Sequence, residues 1–236
     1  MSKPAFLRAA HRDVVAVLAK MDSAFLQQAH CYFGGGTRIV LELGEYRESK
    51  DIDFLCASQA GYRMLRETVS NGSLGALFRK AIPLSREVRA DQYGVRTFLD
   101  LKTSKLKFEL VREARIELEG QRIPALPVPC LTRQHAFAEK FLANTDRGLD
   151  ASTLSRDMVD LAFMIEGWSA SDAAAGLALA KVAYGESVER ALAAVTTKMR
   201  EDRSYRNRSI EGLGITETKI LAAGLEAIAR RKWVLP

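Results

Sequence analysis

The sequence contains few of the residues that form metal–thiolate sites or disulfide frameworks. Its 236 residues include three cysteines and three histidines. Cys31, Cys56 and Cys130 lie far apart, show no CxxC spacing and are odd in number, and the histidines show no ligand spacing. We therefore expect reduced, buried thiols, as in a cytosolic protein, and no zinc site.

Long hydrophobic runs and low-complexity segments are also missing. The most apolar stretch, residues 173–183, is interrupted by Lys181 and is too short to span a bilayer. The first residues turn polar too early for a signal peptide. Hydrophobic residues make up 47% and charged residues 27%, which is typical of a globular protein and excludes a disordered or collagen-like chain. We expect a cytoplasmic protein with no membrane partner.

Positive charge is in excess. The chain carries 35 Lys and Arg against 29 Asp and Glu, for a net charge of +6. A basic balance favours polyanionic partners such as nucleotides or RNA.

The pattern of hydrophobic residues changes along the chain. The first half mixes helical periodicity with strand-like alternation, and the second half is helical throughout. Three of the six prolines lie in residues 123–130 and mark a boundary. The sequence predicts an α+β protein, with a mixed sheet flanked by helices over residues 1–130 and a helical bundle over residues 131–236.

The same patterns predict the individual elements of each half. Within the first half the predicted helices are 6–21, a short one ending near residue 28, 38–43 and 61–79, with a break at 71–73. The predicted strands are 51–56, 85–90, 95–101, 105–112 and, more weakly, 114–118. The predicted turns are 91–94 and 102–104. The predicted helices of the second half are 132–143, 155–166, 170–184, 187–200 and 216–232.

Two aspartates are the first sign of chemistry. On a strand, residues i and i+2 point to the same face, so Asp51 and Asp53 should project together while Ile52 and Phe54 enter the core. Adjacent carboxylates attract hard cations, and Mg²⁺ completes its shell with water and substrate phosphates. Such ions serve phosphoryl and nucleotidyl transfer.

A glycine turn precedes the aspartates. The backbone of Gly35 and Gly36 can approach a phosphate closely, and the Thr37 hydroxyl with a following helix N-terminus would complete an anion site. Arg38 next to it either contacts a phosphate or is exposed. Together the turn and the aspartates could hold a triphosphate and its metal ion.

A third carboxylate is predicted on a neighbouring strand. Glu109 has the polar-face phase of its strand and could bind metal or act as a general base, and Asp100 is the second choice. The alternative for Glu109 is a solvent-facing side chain paired with a lysine.

The helical half contains a second charged cluster. Asp157 and Asp160 share a helix face and lie downstream of Lys140. Such a pattern by itself is typical of a polar stripe on a packed helix.

These segments, taken together, resemble a known family. GGTRIVLELGEYRESKDIDF, EKFLANTDR and SRDMVDLAFM are similar, in this order, to motifs of the AbiEii/AbiGii toxin nucleotidyltransferases, which belong to the DNA-polymerase-β-like superfamily. The resemblance covers roughly residues 33–165.

The resemblance implies roles for particular residues. It implies an NTP substrate, Mg²⁺ or alternatively Mn²⁺, an RNA acceptor, notably the 3′ end of tRNA, and a cognate antitoxin. The residues that would bind phosphates are Gly35, Gly36, Thr37 and Lys140. Asp51 and Asp53 would bind metal, Asp157 and Asp160 would complete the catalytic site, and Arg47 and Ser49 would order the loop or touch the triphosphate.

Basic residues cluster near the C-terminus. Five of them surround Tyr205 in residues 198–208, a composition suited to phosphate contacts and base stacking, although a solvated helix end would look the same. The residues predicted to touch RNA are Arg200, Arg203, Tyr205, Arg206 and Arg208. Residues 230–233, which include Trp233, form a similar, weaker candidate.

The sequence therefore predicts a Mg²⁺-dependent nucleotidyltransferase that acts on RNA as a toxin. Two alternatives are nucleotidyl or phosphoryl transfer to a protein hydroxyl, and a non-catalytic module that binds NTP or RNA.

Overall fold

The protein consists of two units, each with its own internal contacts. The computed structural model describes residues 6–101 and 104–231. The α/β unit comprises residues 1–42 and 49–132, and the helical unit comprises residues 43–48 and 133–236. The short segment Leu43–Glu48 therefore packs with the helical unit, although it lies within the first half of the sequence.

A seven-stranded mixed sheet forms the centre of the α/β unit. The strand order is β3-β4-β5-β2-β1-β7-β6. The strands are β1 (Cys31–Phe33), β2 (Ile52–Cys56), β3 (Arg89–Ala90), β4 (Gly94–Asp100), β5 (Lys105–Arg112), β6 (Gly120–Gln121) and β7 (Cys130–Leu131). The helices are α1 (Ala9–Leu18), α2 (Ser23–Gln28), α3 (Gly35–Glu42) and α4 (Gln59–Glu67).

Strand β2 lies near the middle of this sheet. It pairs antiparallel with β1 and parallel with β5. Ile52 and Phe54 are fully buried, as the alternation predicts. The Phe54 ring packs 5.5 Å from the Phe33 ring and 6.2 Å from the Phe108 ring, measured between centroids. This aromatic packing fixes which face of β2 enters the core and which face carries Asp53.

Side chains and backbone turns explain several differences from the sequence prediction. The predicted strand 114–118 is not a strand, because the Glu113 carboxylate accepts a hydrogen bond from the Arg115 N–H at 2.6 Å and turns the chain. The predicted strand 85–90 shortens to β3. The predicted helix 61–79 ends at Glu67, and a short 3₁₀ turn follows at Gly75, which has a φ of +53°.

One of the two predicted hairpin turns lies wholly within the described residues. The turn at 91–94 is confirmed, since Asp91 Oδ1 accepts hydrogen bonds from the N–H groups of Tyr93 (2.7 Å) and Gly94 (3.0 Å). The turn at 102–104 joins β4 and β5, but Lys102 and Thr103 lie outside the described residues.

The helical unit is built from helices that pack side by side. They are α5 (Arg133–Arg147), α6 (Arg156–Gly167), α7 (Ala170–Tyr184), α8 (Ser187–Glu201), α9 (Arg203–Leu213) and α10 (Thr218–Ala229). Helix α9 was not predicted. It starts because Asp202 ends α8 and accepts a hydrogen bond from the Tyr205 N–H at 2.8 Å. Over the described ranges, the helices are too short or too polar to cross a membrane. The α+β prediction, with a mixed sheet followed by helices, is confirmed.

Candidate active site

The glycine turn and Asp53 are in direct contact. Helix α3 begins at Gly35 itself, three residues earlier than predicted, so Gly35 and Gly36 form its first turn. The Gly34 N–H donates to the Asp53 carbonyl at 2.8 Å. Gly35 has a φ of +66°, and a Cβ there would lie 2.3 Å from Asp53 Oδ2. Only glycine lets the backbone run this close to the carboxylate, so one short unit brings a helix N-terminus and an acidic side chain side by side.

A contact between two hydroxyl groups holds the chain segment that precedes the aspartates. Thr37 is fully buried, and its Oγ1 lies 2.8 Å from Ser49 Oγ. The Ser49 N–H also donates to His11 Nε2 at 3.3 Å. Thr37 was predicted to bind phosphates, and Ser49 to order the loop or touch the triphosphate. In this structure their hydroxyls contact each other, and their role toward phosphates stays a prediction. Together with His11, which the sequence did not single out, they fix the chain two residues before Asp51.

Arg38 is buried, contrary to both expectations for it. Its side chain is fully buried and pairs with Glu42 Oε2 at 2.9 Å, and it donates to the Leu131 carbonyl at 3.1 Å. It therefore stabilises α3 against β7 and presents no charge to solvent.

A row of charged residues crosses the sheet beside Asp53. Asp53 pairs in register with Glu109 on β5, Glu109 with Arg96 on β4, and Arg96 with Arg89 on β3. We call Arg89, Arg96, Glu109 and Asp53 the transverse row. Register partners share a face, so all four side chains project from the same side of the sheet.

Glu109 in this row already has cationic partners. Its carboxylate lies 2.5 Å from Lys107 Nζ and 3.4 Å from Arg96 Nε. In the described ranges, no group of three or more acidic, histidine or cysteine side chains is arranged to hold a metal ion. A ligand role for Glu109 would require the carboxylate to exchange Lys107 for the ion. In this structure Glu109 is paired with a lysine, which is the alternative that the sequence left open for it.

The second choice for a third carboxylate is misplaced. Asp100 is exposed at the end of β4 and pairs in register with Lys105. Lys105 lies four residues before Glu109, about 13 Å along the strand. Asp100 is therefore too far from Asp53 to share an ion with it.

Lys140 and the two later aspartates form a buried network within the helical unit. Lys140 Nζ lies 2.8 Å from Asp157 Oδ1 and 2.7 Å from Asp160 Oδ2. Arg147 also pairs with Asp157, at 2.7 Å. The side chains of Asp157 and Asp160 are 1% and 0% exposed. Both carboxylates are thus fully engaged with cations and shielded from solvent.

The segment Leu43–Glu48 joins the same network. Arg47 donates to both oxygens of Asp160, at 2.7 and 2.8 Å, and the Tyr46 hydroxyl donates to Oδ1 at 2.6 Å. The Tyr46 ring stacks on Phe163 with 3.8 Å between centroids. Arg47, predicted to order the loop or touch the triphosphate, does the first by a bidentate bond.

The electrostatics of this network keep its two carboxylates charged. Burial opposes ionisation of Asp157, but Lys140 and Arg147 more than offset it and lower its pKa well below the usual range. Burial likewise opposes ionisation of Asp160, and Arg47 and Lys140 lower its pKa. Burial raises the pKa of Tyr46, and the Asp160 charge raises it further. The two carboxylates are therefore ionised, and the tyrosine is neutral, across the physiological range.

A family comparison now adds to this geometry. The model of the nucleotidyl transferase AbiEii toxin family, of type IV toxin–antitoxin systems, matches residues 16–227. The chain belongs to this family. The resemblance predicted from the three motifs is confirmed, and the protein is a nucleotidyltransferase. AbiEii membership implies an NTP substrate and a cognate antitoxin.

Solved structures share the AbiEii chain's fold. A candidate nucleotidyltransferase from H. pylori has a TM-score of 0.54 at 17% identity, covering 94% of each chain. JHP933 from Helicobacter pylori has a TM-score of 0.54 at 16% identity, covering 96% of this chain and 94% of that one. At these identities the likeness shows the fold alone. No curated protein matches the sequence significantly.

The basic segment predicted to bind RNA is used within the helical unit of this AbiEii chain. Tyr205 is 2% exposed, and its hydroxyl lies 2.9 Å from Ser155 Oγ, so its ring cannot stack on a base. Arg206 donates to the carbonyls of Met199 and Arg200 at 2.9 and 2.8 Å.

The remaining arginines of that segment also have neighbours within the unit. Arg200 pairs with Glu226 at 2.8 Å, and Arg208 donates to Ser204 Oγ at 3.0 Å. Arg203 is exposed at the start of α9. Lys232 and Trp233, in the weaker candidate, lie outside the described residues.

Proposed function

We propose that this AbiEii protein transfers a nucleotide from a Mg²⁺-bound NTP to an RNA acceptor, the 3′ end of tRNA, and that this modification is its toxic activity in the cytoplasm. The reaction would form a bond between an acceptor hydroxyl oxygen and the α-phosphorus. The bond from that phosphorus to pyrophosphate would break, and the hydroxyl proton would be released.

The contact between Gly35 and Asp53 carries this proposal. The N-terminus of α3 offers backbone N–H groups and the positive end of a helix dipole, which favour phosphate oxygens. A carboxylate packed against that turn would repel phosphates unless a cation lay between them. The pair therefore suits a phosphate chain that arrives with its metal ion.

The residues present fit a magnesium ion held largely by the substrate. Asp51 and Asp53 are both partly exposed, and Mg²⁺ is commonly bound by one or two carboxylates together with water and substrate phosphates. We assign Asp51 and Asp53 to the ion, and Gly35 and Gly36 to the phosphates. When bound, the ion would polarise the phosphates and neutralise developing charge.

Glu109 remains the candidate for accepting the proton of the acceptor hydroxyl, because it is the carboxylate beside Asp53 in the sheet register. The contact of Lys140 with the nucleotide and the catalytic roles of Asp157 and Asp160 stay predictions. Their contacts within the helical unit support a positioning role for the two aspartates, which hold Lys140 and Arg47.

The decisive experiment pairs each labelled NTP in turn with total RNA and total protein, with and without Mg²⁺. We expect label in an RNase-sensitive, protease-resistant product. Asp51→Ala with Asp53→Ala should lower labelling on the order of a thousandfold, since metal-assisted charge stabilisation contributes several kcal/mol. Sequencing of RNA 3′ ends after expression, compared with this double variant, identifies the acceptor.

Other outcomes would redirect the assignment. Protease-sensitive label would make the acceptor a protein hydroxyl. Full labelling and toxicity in the double variant would remove the aspartates from the mechanism.

A further inference from the structure

A cationic cleft opens on the polar face of the sheet in the α/β unit. It has a volume of about 470 Å³. Its charged lining residues are Arg86, Arg89, Arg96, Lys107, Glu87 and Glu109. Four cations against two carboxylates leave a net charge of +2, so the cleft suits an anionic ligand.

The transverse row ties this cleft to Asp53. Arg89, Arg96 and Glu109 line the cleft, and each is the register partner of the next, ending at Asp53. Neighbouring strands lie about 4.8 Å apart, so the cleft begins about 5 Å from the Asp53 position and extends to about 14 Å from it. Its cations therefore form a track that leads to the acidic residue.

The glycine turn lies on the opposite side of Asp53. Gly34 follows β1, the other neighbour of β2, and donates its N–H to the Asp53 carbonyl. Phosphates bound at the start of α3 would thus approach Asp53 from one side, and a ligand in the cleft from the other. Nucleotidyl transfer needs a donor and an acceptor arranged in this way around the reacting phosphorus.

Guanidinium groups give the cleft its binding chemistry. Arg86 is exposed and lies over the Phe98 ring at 4.7 Å, and Arg89 is exposed on β3. Guanidinium forks bind phosphate oxygens in bidentate fashion and do so independently of base sequence. Arg96 and Lys107 are shared with Glu109, so Arg86 and Arg89 carry most of the attraction for a ligand.

We propose that this cleft binds the phosphate backbone of the acceptor RNA and directs its reacting end to Asp53. The inference rests on the proposed function, since it assumes an RNA acceptor. It replaces the C-terminal arginine segment as the RNA-binding surface, because that segment's tyrosine is buried and several of its arginines are bonded within the helical unit.

A second cleft of the same unit supplies a matched control. It has a volume of about 500 Å³, and its charged lining residues are Arg63, Arg66, Arg112 and Glu67. Its net charge is also +2. Arg112 lies three residues from Glu109 on β5, so its side chain leaves the opposite face of the sheet from the transverse row.

The test measures binding of fluorescein-labelled tRNA by anisotropy over a range of KCl concentrations. Arg86→Gln with Arg89→Gln should weaken tRNA affinity about tenfold and reduce the slope of log affinity against log salt by about 2, one for each lost phosphate contact. Arg63→Gln with Arg66→Gln, which removes the same charge elsewhere, should change both much less. Arg86→Lys with Arg89→Lys should keep the wild-type salt slope, because both charges remain, and should recover only part of the affinity, because an ammonium lacks the bidentate fork.

A separate measurement keeps the two proposals apart. Binding of a fluorescent NTP should be equal in the wild type and the Arg86→Gln, Arg89→Gln variant, which also checks that the variant is folded. Equal tRNA binding by the variants of the two clefts would overturn the cleft assignment and leave the nucleotidyltransferase proposal standing. A wild-type protein that labels protein and binds no tRNA would overturn both.

Discussion

The sheet site and the helical network use the same residue types in opposite ways. Asp51 and Asp53 are partly exposed, and Asp53 lies beside a glycine turn. Asp157 and Asp160 are buried and fully paired with cations. A ligand can reach partly exposed carboxylates, whereas the buried pair is enclosed together with its cations. The comparison teaches that burial and pairing with cations decide whether an acidic motif is open to a ligand.

The largest effect is expected when one carboxylate is removed from the sheet site and, in a separate variant, one from the helical network. Asp160→Ala leaves Arg47 and Lys140 buried without their shared partner, so we expect a loss of about 3–5 kcal/mol in the free energy of unfolding. Asp53→Ala should cost less than Asp160→Ala, because the Asp53 side chain is partly exposed, yet it should abolish labelling. Urea unfolding and the labelling assay measure the two effects. Equal stability losses would erase the distinction between the two clusters.

The pH dependence of stability sharpens the same contrast. The pKa of Asp157 is lowered on folding by Lys140 and Arg147 despite burial, whereas the unfolded value is about 3.9. Its contribution is therefore fully present above the unfolded pKa and is lost as pH falls through the folded pKa. Asp157→Asn should be less stable than wild type at pH 7, and the gap should narrow below about pH 4. A gap that stays constant down to pH 2, in unfolding curves followed by circular dichroism, would contradict the network.

Alanine substitutions at two glycines with left-handed backbone conformations distinguish the cost of backbone strain from the cost of a steric contact. Both Gly35 (φ +66°) and Gly44 (φ +81°) should lose about 1 kcal/mol on replacement by alanine. At Gly35 the new methyl also meets Asp53 Oδ2, while at Gly44 it meets open space in the described structure. Gly35→Ala should therefore cost roughly 1–3 kcal/mol more and weaken NTP binding. Matching melting curves and matching NTP affinities would mean that the turn has room to relax.

The smallest expected effect concerns the Thr37–Ser49 contact. Thr37→Val removes a buried hydrogen bond and should cost about 1 kcal/mol. A double-mutant cycle with Ser49→Ala should give a coupling energy of about 0.5–1.5 kcal/mol. Additive losses would show that the two hydroxyls act independently and leave them available for phosphates.

Much of the fold follows from the sequence because periodicity reports burial directly. The alternation of Ile52 and Phe54 fixes the face of β2, and the helices after residue 132 follow from their apolar spacing. Helix α9 was missed because its arginine-rich sequence has a weak apolar pattern, and only the cap at Asp202 marks its start. The strand predicted over 114–118 failed because a single side-chain hydrogen bond at Glu113 turns the chain there.

The contacts of the candidate site likewise fall into those that the sequence could predict and those that it could not. The contact of Gly35 with Asp53 could be expected from motif spacing, because a short helix must return the chain to the strand. Partners across the sheet could not, since they depend on strand order: β5 lies between β2 and β4, which brings Glu109 rather than Asp100 beside Asp53. The burial of Tyr205 was also unpredictable, because it depends on packing between helices.

The membership of Leu43–Glu48 in the helical unit has a consequence for genetic dissection of the protein. A gene split near codon 131 would yield a C-terminal polypeptide that lacks Arg47, the bidentate partner of Asp160. Such a fragment would carry a buried, under-neutralised anion and should misfold when expressed alone. Coexpression of the N-terminal fragment would return the missing guanidinium in trans, so the two halves should be recoverable only as a complementing pair.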